Sequence, residues 1–243
     1  MSKVISMVPS WTETLIECGV EVVGRTRFCI HPDEKVKSIK IVGGTKDIQW
    51  DKVKSLNADF LLLDKDENIK EWQSLSPIKT IVTHVENIQN LISDLHKLSK
   101  QLSNPQLLRL ADLWQSLPEV PGTPIEKIPG FIKWIRKEKT KYSKFVYIIW
   151  KDPWISASGN TFIGSLFSLY GISISVIGNS EKYPKWEDLN FSDDTLLLFS
   201  TEPFPFHKKL KELTQLGFDS ALIDGEAFSW FGIRSYRFLT RNL

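Results

Sequence analysis

Val4-Ile5-Ser6-Met7-Val8-Pro9-Ser10-Trp11-Thr12-Glu13-Thr14 is the stretch from which the fold follows. Its branched and apolar first half, Val4 to Val8, reads as a buried strand, and Pro9-Ser10 stops it. Ser10 with Glu13 forms an S-x-x-E capping box, Thr12 to Cys18 makes a short helix, and Gly19 follows as its C-cap. A strand, a tight turn and a helix in that order open a parallel α/β unit.

The same alternation continues downstream. Val22 to Arg25, Ile39 to Val42, Phe60 to Leu63 and Thr80 to Thr83 are strand candidates, while Ile48, Val53 and Leu56, then Ile69, Trp72 and Leu75, give helical stripes between them. From Val85 the texture changes. Ile88, Leu91, Ile92, Leu95, Leu98 and Leu102 recur at helical spacing, and after Asn104-Pro105 the pattern resumes through Leu107, Leu110, Ala111 and Trp114. Pro118, Pro121, Gly122, Pro124, Pro129 and Gly130 then interrupt regular structure, and a basic stretch runs from Lys133 to Lys144. Alternation restarts with Phe145 to Trp150. A helix capped by Asn160 runs to Tyr170, strands follow at Ile172 to Ile177 and Leu196 to Ser200, a helix at Lys208 to Leu216, and a last strand at Ala221 to Ile223. The expected fold class is α/β. The expected division is an N-terminal α/β lobe over residues 1–84, a helical bridge with a proline-rich connector over 85–143, and a C-terminal α/β lobe over 144–243.

Composition narrows the function. The chain has 243 residues, 42% of them apolar, enough for real cores in one large domain or two modest lobes. Its 31 basic and 29 acidic residues leave +2, with no long basic run of the kind that neutralises phosphates, so nucleic acid is not an expected partner. Nothing in it approaches the ~20 apolar residues of a membrane span. Met1 runs straight into a strand without a signal-peptide pattern, so the chain as written is expected in the cytoplasm, and in the periplasm or on the cell surface if it is a mature or truncated form.

Enzyme signatures are missing: there is no G-x-G-x-x-G after the first strand, no Walker-type phosphate loop, no G-x-S-x-G elbow and no H-E-x-x-H. Of four histidines, His84, His96 and His207 read as surface or capping residues. His31 lies with Cys29 in a loop leaving a strand, where a thiol and an imidazole are weak candidates for metal ligation. Gly43-Gly44-Thr45-Lys46 places an amine at another strand end. Trp72, Trp114 and Trp134 sit in helical stripes and read as packing residues, whereas Trp11, Trp150, Trp154 and Trp230 stand at strand ends or beside turns, where indoles suit a flat, partly apolar ligand. Asp224 and Glu226 flank Gly225 as an acid and base would, or as a helix cap would; Arg234 is free in this reading to pair with either of them or to bind an anion.

Together, Val8-Pro9-Ser10-Trp11-Thr12-Glu13-Thr14, Gly24-Arg25-Thr26, Cys29, His31-Pro32, Val42-Gly43-Gly44-Thr45-Lys46 and Ala58-Asp59 resemble the N-lobe of the helical-backbone metal receptors. These are the substrate-binding proteins of ABC importers for cobalamin and iron-siderophores. Ile149-Trp150-Lys151-Asp152-Pro153, Ser200-Thr201-Glu202-Pro203-Phe204-Pro205-Phe206, Asp224-Gly225-Glu226 and Ser229-Trp230-Phe231-Gly232 with Arg234 resemble the cobalamin-binding-type subgroup. The resemblance implies two Rossmann-like α/β lobes joined by a helical backbone, with a metal chelate, a corrinoid or an iron-siderophore or haem, in a cleft between them. It implies no catalytic residue and no obligatory cofactor. Ser10, Trp11, Phe28, Cys29, His31 and Lys46 would line one side, and Trp150, Trp154, Phe204, Phe206, Trp230 and Arg234 the other. Glu67 and Glu202 are the candidates for docking an ABC permease, Glu202 with a ligand-facing alternative, and the protein is expected to be a monomer. Three other readings stay open: a cytosolic metal-dependent enzyme using Asp224, Glu226 and His31 around a bound ion, an intracellular chelate carrier, and a former receptor serving only as a protein-interaction module.

Overall fold

The computed structural model describes residues 2–175 and 181–241. The chain divides into two compact units: Met1–Val85, Gln89–Leu117 and Phe231–Tyr236 form the first, and Glu86–Ile88, Pro118–Trp230 and Arg237–Leu243 the second. The helices expected to form a separate bridge belong to the first unit, and the basic connector belongs to the second.

In the first unit the chain runs β1 (Lys3–Ser6), α1 (Pro9–Glu17), β2 (Glu21–Thr26), α2 (Asp33–Val36), β3 (Lys40–Gly43), α3 (Trp50–Ser55), β4 (Phe60–Asp64), α4 (Trp72–Leu75) and β5 (Lys79–Thr83). The longer helices α5 (Ile88–Leu102) and α6 (Pro105–Gln115) follow. The strands form one parallel sheet in the order β3-β2-β1-β4-β5. Burial of Ile5, Met7, Val42, Leu61, Leu63 and Trp72 forms its core, each aliphatic side chain contributing about 1.5–3 kcal/mol. Leu91, Ile92, Leu95, Leu98 and Leu102 line the buried face of α5, as their spacing predicts. Asn104 separates α5 from α6: its Oδ1 accepts from the Gln106 and Leu107 amides at 2.9 and 3.1 Å, and Pro105 occupies the first helical turn.

The start of α1 departs from the capping-box expectation. Val8 is the N-cap residue, and its apolar side chain has no acceptor to offer a cap; Pro9, with its fixed φ, starts the first helical turn. Gly19 does end the helix, at φ 76°.

The second unit contains β6 (Phe131–Arg136), β7 (Lys144–Trp150), β8 (Ile155–Ala157), α7 (Phe162–Ser168), β9 (Thr195–Ser200), α8 (Leu210–Thr214), β10 (Asp219–Ile223) and α9 (Gly225–Ser229). α10 (Ile233–Leu239) ends the helices, its first residues to Tyr236 lying in the first unit. The sheet order is β6-β10-β9-β7-β8, with β7, β9 and β10 parallel and the two edges antiparallel. Every residue of β9 and β10 is buried, the mark of central strands covered on both faces. On one face Val146, Ile148, Leu197, Phe199 and Leu222 pack together with Phe206; on the other Phe167 stacks on Phe228 at 4.3 Å, beside Tyr147. The cap of α7 is Thr161, whose Oγ1 accepts from the Gly164 amide at 3.2 Å, one residue after the expected Asn160. Ile174 bridges Phe145 singly, and the remainder of the strand expected to Ile177 falls on 176–180, outside the described residues.

Candidate ligand-binding site

In a parallel sheet the loops leaving the carboxyl ends of the strands gather on one side, which is where such folds place ligand-contacting groups. In the first unit those loops are Met7 and Val8 after β1, Arg27 to Pro32 after β2, Gly44 to Asp47 after β3, Lys65 to Asn68 after β4 and His84 after β5.

These loops are tied together by polar bonds. Arg27 donates to both carboxylate oxygens of Asp47, at 2.9 and 2.6 Å, and its guanidinium lies 5.0 Å from the Phe28 ring centroid. That leaves Phe28 50% and Ile30 51% exposed. Lys46 is exposed, its Nζ donating to the Asp66 carbonyl at 3.1 Å. Glu67 is likewise exposed, and His31 partly so. Beneath them the buried Thr83 hydroxyl accepts from Trp11 Nε1 at 2.9 Å and donates to Asp64 Oδ2 at 2.8 Å.

Three expected ligand contacts in this unit prove to be structural. Trp11 is fully buried, its indole spent on Thr83 and meeting Phe231 edge-on at 5.3 Å. Cys29 is also fully buried, with Sγ 3.0 Å from Thr12 Oγ1 and 3.1 Å from Thr26 Oγ1. Burial pushes its thiol pKa up, so it stays protonated and hidden, which removes it as a metal ligand. Arg234 is engaged within the first unit: its Nε and Nη2 donate to the two carboxylate oxygens of the buried Glu13, at 2.8 and 3.0 Å. The same segment is pinned by the Ile233 amide, which donates to Thr14 Oγ1 at 3.1 Å, and by Gly232. At φ 89° a Cβ on Gly232 would sit 2.2 Å from that hydroxyl, so only glycine fits. Ser10 is buried in α1, and its carbonyl accepts from the Thr14 hydroxyl.

In the second unit the strand ends are built from aromatic rings. Trp150, at the end of β7, is 39% exposed and meets Phe204 edge-to-face at 5.7 Å. Trp154 is partly buried and stacks on Phe206 at 5.8 Å, within 10° of parallel, while touching Trp186 at 5.5 Å. Phe206 itself is fully buried among Phe199, Leu213 and Leu222, so it supports the surface rings and does not join them. Lys151 lies 5.6 Å from the Trp154 ring and is paired with Glu212. Three loops of the molecule carry cis peptide bonds before proline, at His31-Pro32, Asp152-Pro153 and Glu202-Pro203.

The carboxylates at the ends of β9 and β10 have distinct tasks. Asp224 caps α9, its Oδ1 accepting from the Ala227 amide at 3.2 Å, which is the structural alternative for this residue. The Gly225 amide donates to Thr201 Oγ1 at 2.9 Å, and a Cβ on Gly225 would lie 2.6 Å from the Glu202 nitrogen. Glu202 is exposed, and partial desolvation followed by the charge of Glu226 raises its carboxyl above the usual range. Trp230 is partly buried at the end of α9. No group of three or more His, Cys, Asp and Glu side chains suited to holding a metal occurs among the described residues. His31 lies in the first unit and Asp224 and Glu226 in the second.

The residues that sequence reading missed are Arg27, Asp47 and Asn68, the polar ties of the first unit. A charged residue in the loop after β2 and another after β3 were the available signal for the first two.

No protein-family model matches the sequence, and no curated protein matches it. Solved structures do resemble it. S. aureus IsdE complexed with heme aligns with TM-score 0.73 at 15% identity, over 99% of this chain and 97% of that one. An ABC transporter substrate-binding protein from Listeria monocytogenes EGD-e gives 0.71 at 12% identity, over 99% and 96%. The periplasmic vitamin B12 binding protein BtuF of Vibrio cholerae gives 0.66 at 14%, over 99% and 94%. At such identities the likeness is one of fold: the chain has the α/β fold of these substrate-binding proteins. No helix among the described residues is long and apolar enough to cross a membrane.

Proposed function

We propose that this chain is a non-enzymatic binding protein for a metal chelate, a corrinoid, a haem or a ferric siderophore, serving an ABC-type importer. The observation that carries the reading is the shared fold along nearly the whole chain with proteins named for binding vitamin B12 and heme. Exposed aromatic rings at the strand ends fit it, because a macrocyclic or aryl chelate offers large apolar faces to Phe28 in the first unit and to Trp150 and Phe204 in the second. His31, Lys46 and Trp230 complete the proposed contact set. With Cys29 enclosed, the chelate brings its own metal ligands. The enzyme reading is the weaker one, because Asp224 Oδ1 is engaged as a helix cap.

Glu67 and Glu202, both exposed, are proposed to dock basic pockets of a permease, a role that goes with a location outside the cytoplasmic membrane. Replacing both by Lys is then expected to lower uptake in cells without changing chelate affinity. The direct test is equilibrium titration of the purified protein with hydroxocobalamin, cobinamide, haemin and ferric desferrioxamine. Saturable one-site binding of at least one is expected; no spectral change or heat with any of them at high micromolar concentration overturns the reading.

A further inference from the structure

Asn68 lies directly after Glu67 in the loop leaving β4, and it is 6% exposed. Its side chain uses both ends of the amide. Oδ1 accepts from the Asp64 amide at 2.9 Å, closing a turn at the end of its own strand. Nδ2 donates outward, to the Met7 carbonyl at 3.2 Å and to the Thr45 carbonyl at 3.0 Å. One buried side chain thus reaches the loops after β1, β3 and β4. The Lys46 ammonium, donating to the Asp66 carbonyl, adds a second tie between the last two of these loops. Within the β3 loop the Gly44 amide donates to the Asp47 carbonyl at 2.7 Å, which sets the turn that Arg27 grips through the Asp47 carboxylate.

We propose that Asn68 is a positioning residue that holds the loops after β1, β3 and β4 in one register, so that Lys46 on the ligand side and Glu67 on the docking side are held as one body. The inference rests on the proposed function for the meaning of those two sides, but the lock itself rests only on the hydrogen bonds. The bond to the Met7 carbonyl is buried, and a buried carbonyl left without its donor costs more than the bond nets when formed; the partly buried bond to Thr45 adds a smaller hold. The arrangement gives a chelate that orders the β3 loop a direct mechanical route to Glu67.

Asn68→Asp separates the two halves of the amide's work. A carboxylate at this position still accepts from the Asp64 amide, but it presents an acceptor where the Met7 and Thr45 carbonyls need a donor. Hydrogen exchange of the chelate-free variant is expected to be roughly tenfold or more faster at the Gly44 amide, with the Asp64 amide still protected. Hydroxocobalamin or haemin, whichever the unaltered protein binds, is expected to bind the folded variant roughly tenfold more weakly, with the unfolding midpoint lowered by the stranded carbonyls and the buried carboxylate. Asn68→Ala should expose both amides. Wild-type exchange at Gly44 in Asn68→Asp overturns the lock, and so does equal loss of protection at Gly44 and Asp64. Faster Gly44 exchange with unchanged chelate affinity overturns the link to the ligand side. If the unaltered protein binds none of the four chelates of the titration above, the proposed function fails on its own, and the Gly44 exchange still decides the lock.

Discussion

The two units solve one problem by different chemistry. Both must present loops at the carboxyl ends of parallel strands, but the first fixes them with buried polar bonds and the second with stacked rings. In the first, Glu13–Arg234, Thr83 with Asp64 and Trp11, and Asn68 are directional ties whose geometry leaves each loop little choice. In the second, Trp150, Phe204, Trp154 and Phe206 hold their loops by area, which is less directional and leaves apolar surface open to a ligand. The lesson is that the first unit's conspicuous side chains are spent on itself, and the second unit's exposed ring at Trp150 is not.

The largest effect is expected where a buried charge loses its partner. Arg234→Met strands the Glu13 carboxylate, which is 5% exposed, and should cost about 3 kcal/mol in urea unfolding. Adding Glu13→Gln should restore much of that loss, because the uncompensated charge goes with it. A destabilisation that the second substitution leaves untouched would show that packing of the arginine stem, and not the charge pair, holds the segment.

That expectation differs from the sequence reading, in which Arg234 paired with Asp224 or Glu226 or bound an anion on the ligand side. Its partner Glu13 lies 221 residues away, and nothing local distinguishes a guanidinium aimed at solvent from one aimed at a buried carboxylate. Trp11 and Trp150 make the same point, for both follow strands, yet one indole turns into the core and the other out. What could be read locally was read: the strand-turn-helix opening, the apolar stripes of α5 and α6 and the break at Asn104. Phe131 to Arg136 was missed because β6 is an edge strand without a fully buried residue, so Lys133 and Arg136 hid its periodicity. The cap at Ser10 was misplaced because Pro9 starts the helix earlier.

Asp219 provides a polar tie in the second unit to set beside those of the first. Asp219 accepts from the amides of Glu138 and Lys139 at 2.9 and 2.8 Å and from the Tyr142 hydroxyl at 2.9 Å. Burial opposes its ionisation, but these donors outweigh it and hold the carboxyl below its usual range. A depressed carboxylate contributes stability that is fully present above the unfolded value, ~3.9, and is lost as pH falls through the lower folded value. Asp219→Asn should therefore cost about 2 kcal/mol at neutral pH, with the difference from the unaltered protein shrinking in acid. A pH-independent difference in urea midpoint would mean that shape, not charge, matters at this position.

The smallest stability effect and the largest binding effect should coincide at Trp150, whose ring is partly in solvent and makes one edge contact with Phe204. Trp150→Ala is expected to weaken chelate binding by roughly tenfold or more while shifting the unfolding midpoint little.

The most direct test sets these two variants side by side. Titrate Trp150→Ala and Arg234→Met with the chelate that the unaltered protein binds best, and record the thermal midpoint of each. The tryptophan variant is expected to lose affinity at an unchanged midpoint, and the arginine variant to lose stability while still binding when folded. Full affinity in Trp150→Ala, with affinity abolished in a folded Arg234→Met, would contradict this.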